Sequence, residues 1–246
     1  MKIIPAIDIR DGQCVRLFQG DFDKSTVYSA DPASVAQKFS RLAVTDLHIV
    51  DLDGARSGKQ INHRVVANIV AQTGLSVQVG GGIRRRSDIV AWLDAGVSRC
   101  VVGSMAIREP ECVREWIDEL GVDAIALALD ARLDGDGVPQ LTTEGWTANS
   151  NVSLWQCLET YGSDNRFHVL CTDVGRDGAM TGPNVELYKE ILRRFPSLRL
   201  QASGGVRDLG DLKDLRALGV PAAIVGRALL DGAINEREVA QFQQSA

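Results

Sequence analysis

An α/β fold, a (β/α)8 TIM barrel built from two duplicated half-barrels, is what three features of this 246-residue sequence predict. Short apolar runs alternate with amphipathic helical segments along the whole chain. Eight of these runs are apolar throughout their length, the pattern of parallel strands covered on both faces. The pattern also repeats. Gly81-Gly82-Ile83-Arg84, followed by Val102-Gly103-Ser104, returns 123 residues later as Gly204-Gly205-Val206-Arg207, followed by Val225-Gly226-Arg227. Gly81 and Gly103 lie 22 residues apart, as do Gly204 and Gly226. Ile7-Asp8 and Leu129-Asp130 are 122 residues apart, and so are Asp51 and Asp173. Eight strand–helix units in about 250 residues match a barrel, whereas an open doubly wound sheet usually has fewer strands and does not divide into equal repeats. One domain over 1–246 is expected, with half-barrels of about 1–122 and 123–246.

The strands are expected at 3–8, 47–51, 76–80, 99–103, 124–130, 167–172, 198–203 and 222–226. The helices between them carry start and stop signals. In 109–120, Pro110 sits near the first helical position, Val113, Trp116, Ile117 and Leu120 recur at helical spacing, and Gly121 follows the end. Segments 32–42 and 208–218 read the same way. Three connections, 10–31, 132–151 and 174–184, are too long for turns. Each follows the C-terminal end of a strand, where barrel loops build sites. They are expected to be structureless loops of the lid type.

Composition narrows the class. A net charge of −5 argues against a nucleic-acid surface. The densest basic cluster, Arg84-Arg85-Arg86, follows a glycine turn and reads as a solvated helix entrance. No uninterrupted apolar stretch approaches the ~18 residues that span a bilayer, and no signal-type segment opens the chain. Cys14, Cys100, Cys112, Cys157 and Cys171 show neither metal-ligand nor redox spacing, which fits a reducing cytoplasm. Cys100 and Cys171 fall in strand-like runs and read as buried thiols. His48, His63 and His168 have no ligand spacing, and His48 and His168 read as packed strand residues. No metal site is expected.

The chemistry is expected at the strand ends. Gly81-Gly82, Gly103-Ser104, Gly204-Gly205 and Gly226-Arg227 end the third, fourth, seventh and eighth strands. Glycine there lets backbone N–H groups approach an anion, and a following helix start adds partial positive charge. Two such sites across one barrel mouth call for a ligand with a phosphate at each end. Asp8 and Asp130 end the first and fifth strands, which are diametrically opposed in an eight-stranded barrel. Two carboxylates whose environments separate their pKa values can take and give a proton. Thr172 takes the place of Val50 in the repeat, breaking the symmetry with a hydroxyl that can position substrate. Asp51 and Asp173 read as structural residues at the rim. Trp146, in the loop after the fifth strand, is a candidate for stacking on a planar ring or for anchoring its own loop.

The motifs Ile4-Pro5-Ala6-Ile7-Asp8-Ile9-Arg10-Asp11-Gly12 with Val15-Arg16-Leu17, Val50-Asp51-Leu52-Asp53-Gly54-Ala55, Val79-Gly80-Gly81-Gly82-Ile83-Arg84 and Thr172-Asp173-Val174-Gly175-Arg176-Asp177-Gly178 together span most of the chain. In them the sequence resembles the phosphoribosylformimino-aminoimidazole carboxamide ribotide isomerase family of histidine biosynthesis. The resemblance implies a cofactor-independent Amadori rearrangement of a bisphosphorylated aminoaldose to an aminoketose. In it, Asp8 is the base at C2′, Asp130 the acid at the ring oxygen, and Thr172 an assisting group. Arg16, Gly20 and Asp177 join the glycines, Ser104, Arg227 and Trp146 as substrate- or phosphate-binding candidates. A monomer acting in the cytoplasm on a small molecule is expected, without nucleic-acid or membrane partners. The alternatives are the cyclase subunit of imidazole glycerol phosphate synthase, which needs a glutaminase partner, an isomerase that also takes phosphoribosylanthranilate, and a phosphate-sugar binding module.

Overall fold

The computed structural model describes residues 1–18, 20–143, 145–146, 148–162 and 166–244. The chain begins β1 (Lys2–Arg10), β2 (Gln13–Phe18), β3 (Asp21–Ser29), α1 (Pro32–Ser40), β4 (Asp46–Asp51), α2 (Leu52–Ser57), α3 (His63–Thr73) and β5 (Ser76–Gly80). It continues α4 (Arg86–Asp94), β6 (Arg99–Val102), α5 (Ser104–Arg108), α6 (Pro110–Leu120), β7 (Ile125–Leu133), β8 (Pro139–Thr143), β9 (Ala148–Ser153) and α7 (Leu154–Tyr161). It ends β10 (His168–Asp173), α8 (Val185–Arg194), β11 (Arg199–Ser203), α9 (Leu209–Ala217), β12 (Ala222–Val225), α10 (Arg227–Leu230) and α11 (Glu236–Gln244).

Eight strands, β1, β4, β5, β6, β7, β10, β11 and β12, pair in that order, every pair parallel, and β12 pairs back onto β1. The ring is closed, so its strands leave no parallel edge unpaired, and the architecture is the predicted (β/α)8 barrel. All eight expected strands are present, shifted by no more than a few residues at their ends.

The two-residue period of a strand sorts side chains between two layers. On β1, Ile3, Ile7 and Ile9 face the helices, while Ile4 and Ala6 fill the barrel interior with Val101, Ala126, Leu170, Ala222 and Ile224. The same phase turns Asp8 inward two residues beyond Ala6. On β7 it turns Asp130 inward beyond Ala126 and Ala128, and on β10 it turns Thr172 inward beyond Leu170. The interior is not wholly apolar. Gln78 and Gln201, 123 residues apart and so repeat equivalents, exchange amide hydrogen bonds of 2.7 and 3.1 Å.

The helices stop slightly short of expectation. The segment from Pro32 ends at Ser40, and the one read as 208–218 is helical from Leu209 to Ala217, with Asp208 capping Asp211 N. Pro110 opens α6 as predicted, and Gly121 closes it.

One expectation is corrected. The connections 10–31 and 132–151 are not structureless. β2 pairs antiparallel with the end of β1 and with β3, and β8 pairs antiparallel with the end of β7 and with β9. Both barrel strands overrun the rim and fold back as antiparallel extensions. Residues 19, 144 and 147 of these connections lie outside the described residues. The third connection, 174–184, holds turns and irregular backbone without helix or strand, as expected of a loop.

Candidate active site

The rim at the C-terminal ends of the barrel strands encloses a cavity of about 780 Å³. Asp8, Asp130, Thr172, Arg16, Gly20, Asp177 and Trp146 line it, together with Gly81, Gly82, Gly103 and Ser104. An adjoining pocket is lined by Gly204, Gly205, Gly226 and Arg227, and shares Arg16 and Asp177 with the main cavity. All fifteen residues singled out in the sequence therefore converge on one mouth. Among the described residues no cluster of His, Cys, Asp and Glu is arranged to hold a metal ion.

Asp8 and Asp130 sit on strands four places apart either way around the ring, and so face each other across the mouth. Asp8 is buried and Asp130 half-buried, and desolvation is the main cause raising each carboxyl above its ordinary pKa. Their neighbours differ. Arg16 Nη1 donates to Asp8 Oδ2 at 3.0 Å, and Arg16 Nη2 donates to Asp177 Oδ1 at 2.7 Å. The guanidinium opposes the rise at Asp8 by stabilising the ionised form. Asp130 has no such cation. Trp146 and Thr172 donate hydrogen bonds to it that favour its ionised form, and the charge of Asp177 disfavours ionisation of both carboxyls. Thr172 reaches Asp130 because β10 and β7 pair at that level, Thr172 beside Asp130. The site thus holds a buried carboxyl beside an arginine and a half-buried one, across the mouth, beside neutral donors.

The glycines divide into two kinds. Gly81, Gly82, Gly204 and Gly205 all have positive φ, between 72° and 111°. A Cβ on Gly81 would lie 2.1 Å from Asp51 O, and Cβ atoms on Gly82 and Gly205 would lie 2.3 Å from the carbonyls of Gly54 and Gly182. Packing against the preceding loop already demands glycine at these places. Gly103 and Gly226 differ. They share one backbone conformation, φ −96°, ψ −97° and φ −99°, ψ −90°. A Cβ on Gly103 would touch nothing closer than 3.8 Å, and one on Gly226 would meet the Arg16 guanidinium at 3.0 Å. At these two, no backbone atom would obstruct a side chain, so packing against a preceding loop does not demand glycine there.

The rim aspartates are structural, as read. Asp51 accepts from Gly54 N, Asn62 N and Asn62 Nδ2, at 2.8, 3.1 and 2.7 Å. Asp173 accepts from Gly175 N at 2.9 Å and Asn184 Nδ2 at 2.7 Å. Each half thus ties the turn after one strand to the start of the next long helix through an Asp–Asn pair. Arg85 and Arg86 are exposed at the start of α4, the solvated entrance expected, whereas exposed Arg84 reaches back to line the cavity.

Trp146 holds φ 72°, and its ring lies where a Cβ on Gly20 would be 2.3 Å from Cε3. The connections after β1 and β7 meet there, above the carboxyls. Among the cavity residues that sequence reasoning missed are Arg108, Ser203 and His48. Arg108 lies one helical turn beyond Ser104 and is found by extending the strand-end pattern by four residues. Buried His48 is packed, as read, but also contributes to the cavity floor. Its Nδ1 lies 3.2 Å from Gln78 Nε2, and burial pulls its pKa down to about 3, so the ring is neutral. Cys100 and Cys171 are buried thiols, as read.

The duplicated strand-end pattern, the closed ring and the opposed carboxyls agree with the comparison to known families. The family model described as histidine biosynthesis protein matches residues 2–235, and the chain belongs to that family of histidine biosynthesis enzymes, the isomerase and cyclase superfamily.

Proposed function

We propose that the protein is the isomerase of this superfamily, converting a bis-phosphoribosyl aminoimidazole carboxamide aminoaldose to the aminoketose without a cofactor. The observation that carries the reading is the unequal pair, Asp8 beside Arg16 and Asp130 beside neutral donors. Arg16 favours the ionised form of Asp8, which suits a base. Asp130 lacks a cation, and desolvation together with the charge of Asp177 raises its pKa, which suits an acid.

The steps follow from those protonation states. Asp130 gives its proton to the furanose oxygen as the C1′–O bond breaks, leaving an open-chain iminium. Asp8 then removes the proton from C2′, and the C–H electron pair neutralises the iminium as an enolamine. Tautomerisation of that species gives the ketone. Thr172 orients Asp130. The carbons change neither in number nor in net oxidation, so no electron acceptor is needed. The phosphates occupy the corners at Gly103–Ser104 and Gly226–Arg227, and the two half-barrels, about 1–122 and 123–246, each supply one corner.

The test supplies the aminoaldose to the wild-type protein without ammonia or a glutaminase and follows the aminoketose. Formation of aminoketose supports the isomerase. No conversion of the aldose, together with consumption of the aminoketose only when ammonia is added, would assign the chain to the cyclase branch instead. Turnover of phosphoribosylanthranilate alongside the aldose would identify a dual-substrate isomerase.

A further inference from the structure

Arg227 is held in place more elaborately than a surface arginine needs to be. Its Nε donates to Asp231 Oδ2 at 2.9 Å, and its Nη1 donates to Gly178 O at 2.9 Å. Arg227 lines the pocket with Gly226 and Arg16. The other oxygen of Asp231 accepts from Tyr28 Oη at 2.6 Å. Tyr28 lies on β3, in the antiparallel extension that also carries Arg16 on β2, yet it is 203 residues from Asp231. Hydrogen bonding to Tyr28 is the leading cause that keeps Asp231 ionised. Burial and Asp231 push the Tyr28 hydroxyl up to about 12, so it remains a donor at any working pH.

Stability does not account for this arrangement. An i,i+4 ion pair with side chains 40% and 34% exposed contributes little to stability. Orientation does account for it, because two fixed donors leave the guanidinium a single direction in which to present Nη2. The repeat partner of Tyr28, at the 122-residue offset of its stretch, is Ser150, and those of Arg227 and Asp231, at the offset of 123, are Ser104 and Arg108, so the chain Tyr28–Asp231–Arg227 exists at one corner only. At the other corner Arg108 reaches Thr143 Oγ1 on β8 at 3.4 Å. Each corner therefore has one arginine linked to the extension of the neighbouring barrel strand, by different chemistry.

We infer that Tyr28 and Asp231 are positioning residues for one of the two substrate phosphates: Asp231 aims Arg227 at it, and Tyr28 couples that aim to the seating of the β2–β3 extension. The inference rests on the proposed phosphate corners at Gly103–Ser104 and Gly226–Arg227. It makes the Gly226 corner the tighter and more selective end for a phosphate monoester dianion.

The test compares wild type, Tyr28→Phe, Asp231→Asn, Arg227→Ala and the double variant Tyr28→Phe/Arg227→Ala. It reads kcat and KM for the bisphosphorylated aminoaldose, and the affinity for inorganic phosphate by titration calorimetry. Tyr28→Phe is expected to raise KM about tenfold, the size of one charge-assisted hydrogen bond, with most of the change in kcat/KM carried by KM. In the Arg227→Ala background the same substitution is expected to change KM less than about twofold, because the two residues act as one unit. Asp231→Asn is expected to weaken phosphate binding in the same direction, and serves alone should Tyr28→Phe fail to fold. Equal KM and equal phosphate affinity in wild type, Tyr28→Phe and Asp231→Asn would overturn the inference while leaving the isomerase standing. So would a Tyr28→Phe effect of the same size with and without Arg227. If the wild-type protein does not turn over the aldose, the proposed function fails, and the phosphate titrations still decide the role of Tyr28 and Asp231.

Discussion

At Asp8, burial and a neighbouring cation pull in opposite directions, and the balance sets when the group can act as a base. Burial holds the carboxyl above its ordinary pKa, and Arg16 limits the rise. Asp8 works ionised, so kcat/KM must fall as pH drops through its raised folded pKa, placing the acid limb of the profile above the usual carboxylate range. Replacing Arg16 by Met removes the positive charge that favours the carboxylate. The Asp8 pKa then rises further and the acid limb moves to higher pH. An acid limb that stays in place in Arg16→Met, measured as kcat/KM against pH, would separate Asp8 from the base role. Asp8, Asp130 and Thr172 were legible in the sequence because each ends an apolar run, and a strand's period turns them inward. Arg16 and Asp177 had no such local signal and were found by resemblance. Their pairing across 161 residues is made by the closure of the ring. Tyr28 and Asp231 left no sequence trace, since contacts between a rim extension and a four-residue helix follow no period.

Among the elements, the eight barrel strands were legible because burial on both faces imposes continuous apolar runs. The rim extensions were not. β3 reads Asp-Phe-Asp-Lys-Ser-Thr-Val-Tyr-Ser and is exposed or half-buried along its length, so no core selects for alternation. Its strand character comes from backbone pairing with β2, which composition does not announce. The turns after β4 and β10 are held instead by buried acceptors. Asp51 satisfies three donors in a site without water access. Asp51→Ala leaves them unpaired and is expected to lower unfolding stability by about 2–5 kcal/mol in urea titration, with the Gly81 turn loosened as a consequence. A loss below about 0.5 kcal/mol would show that these hydrogen bonds are replaced at no cost, and that Asp51 does not hold the turn.

On the scale of the whole molecule, duplication supplies a near-symmetric frame and the exceptions supply the chemistry. Gln78 and Gln201 meet inside the barrel as equivalents from the two halves, and the Asp–Asn pairs at the rim repeat at the same spacing. Much of the glycine repeat also belongs to this frame, because the pairs at Gly81 and Gly204 are demanded by packing before any ligand is considered. The proposed substrate is itself pseudo-symmetric at its phosphates and asymmetric at its reacting carbons. The site matches that description: similar corners, unlike carboxyls. The most direct test of the paired carboxyls is the turnover of the aminoaldose by Asp8→Asn and Asp130→Asn, each checked for an intact fold. Both are expected to lose at least about 10²–10⁴-fold in kcat. Turnover within a few-fold of wild type in either variant would remove that carboxyl from the reaction and contradict the opposed acid–base pair.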